Sequence, residues 1–117
     1  MNNIIVAVIV ITIIVGDGVV ECCPAECICY EKQQKHRTDF VANCTDRNLT
    51  TFPTDFPVNI TRIDITNNQL STIENGTCTR LKLLRYLDIS YNQLTTIEPG
   101  AFTGAGEIDI LDISYNQ

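Results

Sequence analysis

The 117-residue sequence has no tryptophan, one methionine and one histidine, and aromatic residues make up only 7% of it. A single imidazole excludes any metal site or proton relay that needs two histidines. Basic residues are also scarce: eight Lys and Arg stand against fourteen Asp and Glu, a net charge of −6. Affinity for phosphate backbones rests on clustered Lys and Arg. No such cluster is present, which argues against nucleic acid as a partner. There is no glycine-rich phosphate loop and no paired-carboxylate signature. His36 sits in the polar stretch 31–37 with no Ser or Cys partner implied and reads as a solvated side chain. The chain is therefore expected not to be an enzyme and to need neither metal nor cofactor.

Long apolar runs are nearly absent too. The exception is Ile4–Val15, whose twelve residues fall short of the about 20 that span a bilayer. The run fits the core of a secretory signal peptide, with Gly16 and Gly18 as the small residues of a cleavage site. Residues 1–18 are accordingly expected to be removed. Only the terminal amine carries positive charge ahead of the run, so an uncleaved signal anchor is the alternative. Export changes how the six cysteines are read: in an oxidising compartment they are candidate disulfides rather than metal ligands or nucleophiles. Four N-x-[ST] sequons, at Asn43, Asn48, Asn59 and Asn75, argue independently for export and mark candidate glycosylation sites.

What the sequence does have is a repeat. Ile60-x-x-Ile63-x-Ile65-x-x-Asn68-x-Leu70 returns as Leu84-x-x-Leu87-x-Ile89-x-x-Asn92-x-Leu94, and begins again as Ile108-x-x-Leu111-x-Ile113-x-x-Asn116, each step being 24 residues. Ile73, Cys78 and Leu81 align in turn with Ile97, Phe102 and Ala105. Alternation at Ile63-Asp64-Ile65 describes a short strand with one buried face. The Asn ends it, its amide free to satisfy backbone groups in the turn that follows. One repeat buries too few side chains to offset the ordering of its backbone, so repeats must stack and their ends must be capped. Cys78, in register with Phe102, reads as a small core residue.

This pattern resembles the L-x-x-L-x-L-x-x-N-x-L signature of leucine-rich repeat proteins. The resemblance implies an α/β-type solenoid, with short parallel strands on a concave face and an irregular or helical-turn convex side. Upstream, Cys23, Cys27, Cys29 and Cys44 allow three pairings, and spacing alone does not choose among them. Together with Leu49-x-x-Phe52-Pro53-x-x-Phe56-Pro57, they resemble the cysteine-flanked N-terminal cap of extracellular leucine-rich repeat proteins. That likeness implies Cys23–Cys29 and Cys27–Cys44. Two features depart from the family pattern: residues 31–39 read as an enlarged polar loop, and Cys22 lies beside Cys23 as a competing partner.

The expected organisation is a signal peptide (1–18), a cysteine-rich cap (19–58), a first repeat (59–83), a second (84–107) and a truncated third (108–117). The third would leave Ile108, Leu111 and Ile113 half covered, and is read as the start of a longer protein or as an end that dimerises. Aligning the repeats places three rows on the outward face of the sheet: Arg62, Tyr86 and Ile110; Asp64, Asp88 and Asp112; Thr66, Ser90 and Ser114. The expected function is binding of an extracellular protein ligand on that face, as a receptor fragment or secreted binder. A structural matrix protein of the same repeat type is the alternative. A membrane enters only through a segment beyond Gln117 or an uncleaved anchor.

Overall fold

The chain builds its core from many short strands rather than a few long ones. A computed structural model describes residues 23–116. The signal-peptide expectation for 1–18, and Cys22, lie outside them. The described elements are β1 (Ile28–Gln33), β2 (Thr38–Asn43), β3 (Arg62–Asp64), β4 (Thr72–Ile73), β5 (Tyr86–Asp88), β6 (Thr96–Ile97) and β7 (Ile110–Asp112). One sheet has the order β1-β2-β3-β5-β7, and a second, two-stranded sheet joins β4 to β6. The β1–β2 pair is antiparallel, and every later pairing is parallel. Parallel neighbours require a return path between them, which residues 65–85 and 89–109 supply.

Ile60, Ile63, Ile65, Leu70, Ile73, Cys78, Leu84, Leu87 and Ile89 are fully buried in one continuous cluster. The large sheet lies on one side of it and β4–β6 on the other. Among the described residues the return paths hold turns and these two-residue strands, and no helix. In the first path Leu70, Ile73, Cys78 and Leu81 are buried. At Gly104, φ is +98°, and an added Cβ would come within 2.6 Å of the Thr79 carbonyl oxygen of the preceding turn. Stacking at that distance requires glycine.

The repeat asparagines join the turns. Asn92 Nδ2 donates to the carbonyls of Ile89 and Ser90 in its own turn and to Ile65 in the one before, at 3.0–3.2 Å. Its Oδ1 accepts the Leu70 N–H at 3.0 Å. Asn68 repeats this with Cys44, Ile65, Thr66 and the Leu49 N–H, and Asn116 with Ile89, Ile113, Ser114 and the Leu94 N–H. Asn68 and Asn92 are each only 7% exposed. Water therefore cannot take over these bonds.

The cap closes the near end. Disulfides join Cys23 to Cys29 and Cys27 to Cys44, restricting the unfolded state of a segment with little core of its own. Phe52 and Phe56 pack edge to face, 5.8 Å apart, over the first repeat. Residues 31–39 are not the enlarged loop that their polarity implied. Glu31–Gln33 belong to β1 and Thr38–Asp39 to β2, leaving only 34–37 as the turn. The signal was hidden because β1 is an edge strand exposed on both faces apart from Cys29, so it shows no alternation of apolar and polar residues.

Replacing Asn92 with Ala strands the buried Leu70 N–H, while the carbonyls of Ile65, Ile89 and Ser90 each lose one donor and keep another, from Asn68, Asn116 and the Asn67 N–H. It should cost about 1–3 kcal/mol, the range for one stranded buried group. The same change at Asn116, which is less buried, should cost less than half as much. Urea unfolding of the two variants checks both the size and the order.

Candidate protein-binding face

Strand register turns the repeat alignment into a surface. Arg62, Tyr86 and Ile110 are lateral neighbours, as are Asp64, Asp88 and Asp112. Both rows run on into the cap, which repeat alignment did not reveal. Arg62 pairs with Val41 and then Tyr30, and Asp64 with Asn43 and then Ile28. The step from β2 to β3 is 21 residues (Asn43 to Asp64) rather than 24, so a search at the repeat period passes over it. The usable signal was Val41-Ala42-Asn43-Cys44-Thr45 matching Arg62-Ile63-Asp64-Ile65-Thr66. Ile28, Tyr30 and Ile110 are exposed large apolar side chains on this face.

Each acidic residue of the row also has a local task. Asp64, Asp88 and Asp112 accept through Oδ1 the N–H and the hydroxyl of the residue two places on, Thr66, Ser90 and Ser114, at 2.6–3.2 Å. Asn43 does the same for Thr45. An amide therefore serves the turn as well as a carboxylate does. Hydrogen bonds from Ser114 hold the Asp112 carboxyl below its ordinary pKa. Adjacent strands are about 4.8 Å apart, where like charges repel by roughly 1 kcal/mol in a water-like dielectric. The Ser and Thr donors offset part of that repulsion. Ser90 itself is 4% exposed, with its hydroxyl committed to Asp88. It belongs to the turn and not, as expected from alignment, to the contact surface.

The Arg62 guanidinium lies 3.6 Å from the centroid of the Tyr86 ring, and the Tyr86 hydroxyl donates to Asp88 Oδ2 at 3.3 Å. Partial burial and the Asp88 charge raise the Tyr86 pKa, so the phenol remains a donor. Beyond the third row, Asp46, Asn67, Tyr91 and Tyr115 occupy equivalent places in successive turns, all with φ between 55° and 59°. This left-handed conformation suits Asn and Asp but costs a tyrosine about 1–2 kcal/mol. The rings of Tyr91 and Tyr115 stack, 4.3 Å apart and within 6° of parallel, which offsets about 0.5–1.5 kcal/mol. Local desolvation, then Tyr115 and Asp112, raise the Tyr91 phenol's pKa.

At the cap, Asp39 is 4% exposed and receives Gln34 Nε2, Arg37 Nε and the Thr61 hydroxyl at 3.0–3.2 Å. Burial alone would raise its pKa, but these donors and the Arg37 charge outweigh it and hold the carboxyl below the usual value. Cys78 is a free, fully buried thiol pushed up to about 11 by burial, which makes it a poor nucleophile. Among the described residues, no cluster of three or more His, Cys, Asp or Glu could hold a metal ion.

Parallel strands at a 24-residue step, an asparagine ladder and a disulfide-bonded cap define a leucine-rich repeat solenoid. The chain belongs to that family: the family model described as leucine rich repeat matches residues 58–117. It is thus a repeat protein of the kind that mediates protein binding, a family whose members are generally non-enzymatic binding modules. Over 70 residues it is 33% identical to the immunoglobulin superfamily containing leucine-rich repeat protein of Bos taurus and 31% identical to that of Homo sapiens. That stretch is 60% of this chain and 15% of either relative's length. The crystal structure of human 5T4 (Wnt-activated inhibitory factor 1, trophoblast glycoprotein) superposes with a TM-score of 0.69 at 34% identity, over 86% of this chain and 33% of that one. The TLR13–ssRNA13 complex matches with a TM-score of 0.68 at 24% identity, covering 81% of this chain and 13% of that one, and shows the fold alone.

Because the Asp39 pKa is lowered on folding, its stabilising effect is complete above the unfolded carboxylate value, about 3.9. The effect is lost as pH falls through the lower folded value. Asp39→Asn should cost about 1–2 kcal/mol at pH 7, and its difference from the parent should shrink towards zero near pH 2. Thermal melts of both proteins from pH 2 to 7 check this.

Proposed function

We propose that the chain is an extracellular or cell-surface binding module whose concave sheet face engages a protein partner of basic character. The observation that carries this reading is the Asp64–Asp88–Asp112 row. Each Oδ1 is used by its own turn, while the carboxylate charge stays on a face that also offers Tyr86, Ile110 and Tyr30. Two disulfides support an oxidising compartment. The four sequons and the likeness to a protein named trophoblast glycoprotein support export and glycosylation. The acidic row would repel phosphate, which argues against a nucleic-acid ligand such as the single-stranded RNA of the TLR13 complex.

Asp88→Asn tests this cleanly, since Asn43 demonstrates that an amide holds the same turn. Binding to a partner captured from cell surfaces should weaken about three- to tenfold and lose part of its salt dependence, with thermal stability unchanged or raised. Normal binding by the variant at every salt concentration would assign the acidic row to structure alone. Surface plasmon resonance across a sodium chloride series is the measurement.

The sequons divide by position. Asn48 follows the cap turn at 45–47, Asn59 precedes β3, and Asn75 follows β4 across the core from the proposed binding face. A glycan at any of these leaves the face clear. Asn43 stands in the acidic row itself, between Ile28 and Asp64, where a sugar would cover the cap end of the surface. Glycopeptide mapping should find Asn48, Asn59 and Asn75 occupied and Asn43 bare. If Asn43 is found occupied, Asn43→Gln should tighten partner binding.

A further inference from the structure

Position 91 and its equivalents present a feature that neither the core nor the turn requires. In the cap and first repeat, Asp46 and Asn67 make the same left-handed turn with short polar side chains. The next two turns carry Tyr91 and Tyr115, 51% and 68% exposed, with their rings stacked in parallel. Tyr115 covers one face of Tyr91, and the equivalent place in the turn on the other side holds the smaller Asn67 rather than a third ring. Asp88 and Asp112 end the strands that lead into these turns, with the Ser90/Ser114 row between, and the Asp112 carboxylate is near enough for its charge to act on the Tyr91 phenol. Asp112 has only its Oδ1 engaged, by Ser114. An exposed aromatic face flanked by carboxylate oxygens suits a guanidinium, which stacks on the ring and donates in its own plane to the carboxylate. The molecule already makes this arrangement within itself: Arg62 lies over the Tyr86 ring, whose hydroxyl is bonded to Asp88.

The geometry points to Tyr91 and Tyr115, with Asp88 and Asp112, as a receptor for an arginine side chain presented by the protein partner. This rests on the acidic-face reading and sharpens it, because a merely acidic row would accept lysine as readily as arginine. The partner is thereby expected to place an arginine at the edge of the interface, next to the tyrosine turns, while its other basic groups meet the Asp row.

The probes are three blocked pentapeptides, Gly-Gly-X-Gly-Gly with arginine, lysine or citrulline at X, titrated into the full chain carrying ring-labelled tyrosine and followed by NMR. The arginine peptide should shift the Tyr91 and Tyr115 ring signals saturably, the lysine peptide should bind at least threefold more weakly, and citrulline should give no shift. The Tyr91→Asn/Tyr115→Asn double variant adopts the residue already present at 67, so it should fold, and it should lose at least tenfold in arginine affinity. Tyr91→Phe should retain it. Equal binding of arginine and lysine, or shifts centred on Tyr30 instead, would overturn the assignment without needing any variant. If the double variant binds normally while Asp88→Asn is weakened, the arginine receptor falls and the acidic face stands. If neither change matters, both readings fall together.

Discussion

One side chain per turn, the repeat asparagine, carries the constraint on which the remaining structure depends. The backbone ladder runs past each three-residue strand into the bend, as from the Asn67 N–H to Ser90 and from the Tyr91 N–H to Ser114, but it leaves the carbonyls of Ile65 and Ile89 to the asparagines. In each turn the Asn amide supplies three donations and at least one acceptance, and at least two of those bonds cross to the previous turn. Neighbouring turns are thereby tied together in register, and the buried carbonyls of Ile65 and Ile89 are given donors. The isoleucines and leucines supply the driving force, but they would tolerate a slip. The asparagine would not, since a slip would leave its bonds unmade in a place water cannot reach.

Fixed register is also what makes a surface. Once successive turns are locked, every outward position becomes a row at strand spacing, and whatever residue type the repeat carries there is multiplied. A row of aspartates is the result at 64, 88 and 112. It survives its own repulsion because each carboxylate is partly solvated by the Ser or Thr two residues on, so the acidic row is at once a turn device and a field of negative charge. The stacked tyrosines follow the same logic: a conformation that disfavours one tyrosine is made tolerable by placing a second beside it. Structure and surface charge are therefore not separate features of this face.

The cap joins this scheme by imitation. Asn43 and Thr45 repeat the Asp–Ser/Thr turn, Ala42 and Cys44 take the inward places held elsewhere by Ile or Leu, and Asp46 supplies the left-handed residue. Where a repeat would lock its turn with asparagine, Arg47 stands instead, and the Arg47 and Leu49 amides are taken up by Asn68 of the first repeat. The two disulfides and the buried Asp39 cluster then hold what a longer core would otherwise hold.

The 24-residue period, the inward positions from Ile60 to Ile89 and the role of the asparagines were legible in the sequence, because each is a local pattern repeated in register. The outward rows from Arg62 to Asp112 followed from the same alignment. The β1–β2 hairpin did not, since an edge strand exposed on both faces shows no alternation, and its pairing depends on a turn at 34–37 and on the crosslink at Cys29. The continuation of the outward rows onto Ile28, Tyr30 and Asn43 was equally hidden, because the cap meets the first repeat after 21 residues instead of 24. The burial of Ser90 and the stacking of Tyr91 on Tyr115 depend on where side chains from different turns meet. The sequence by itself determined which residues recur and therefore which turn inward. Only the tertiary structure decided which outward residues become neighbours, since that is a property of strand register between segments more than twenty residues apart.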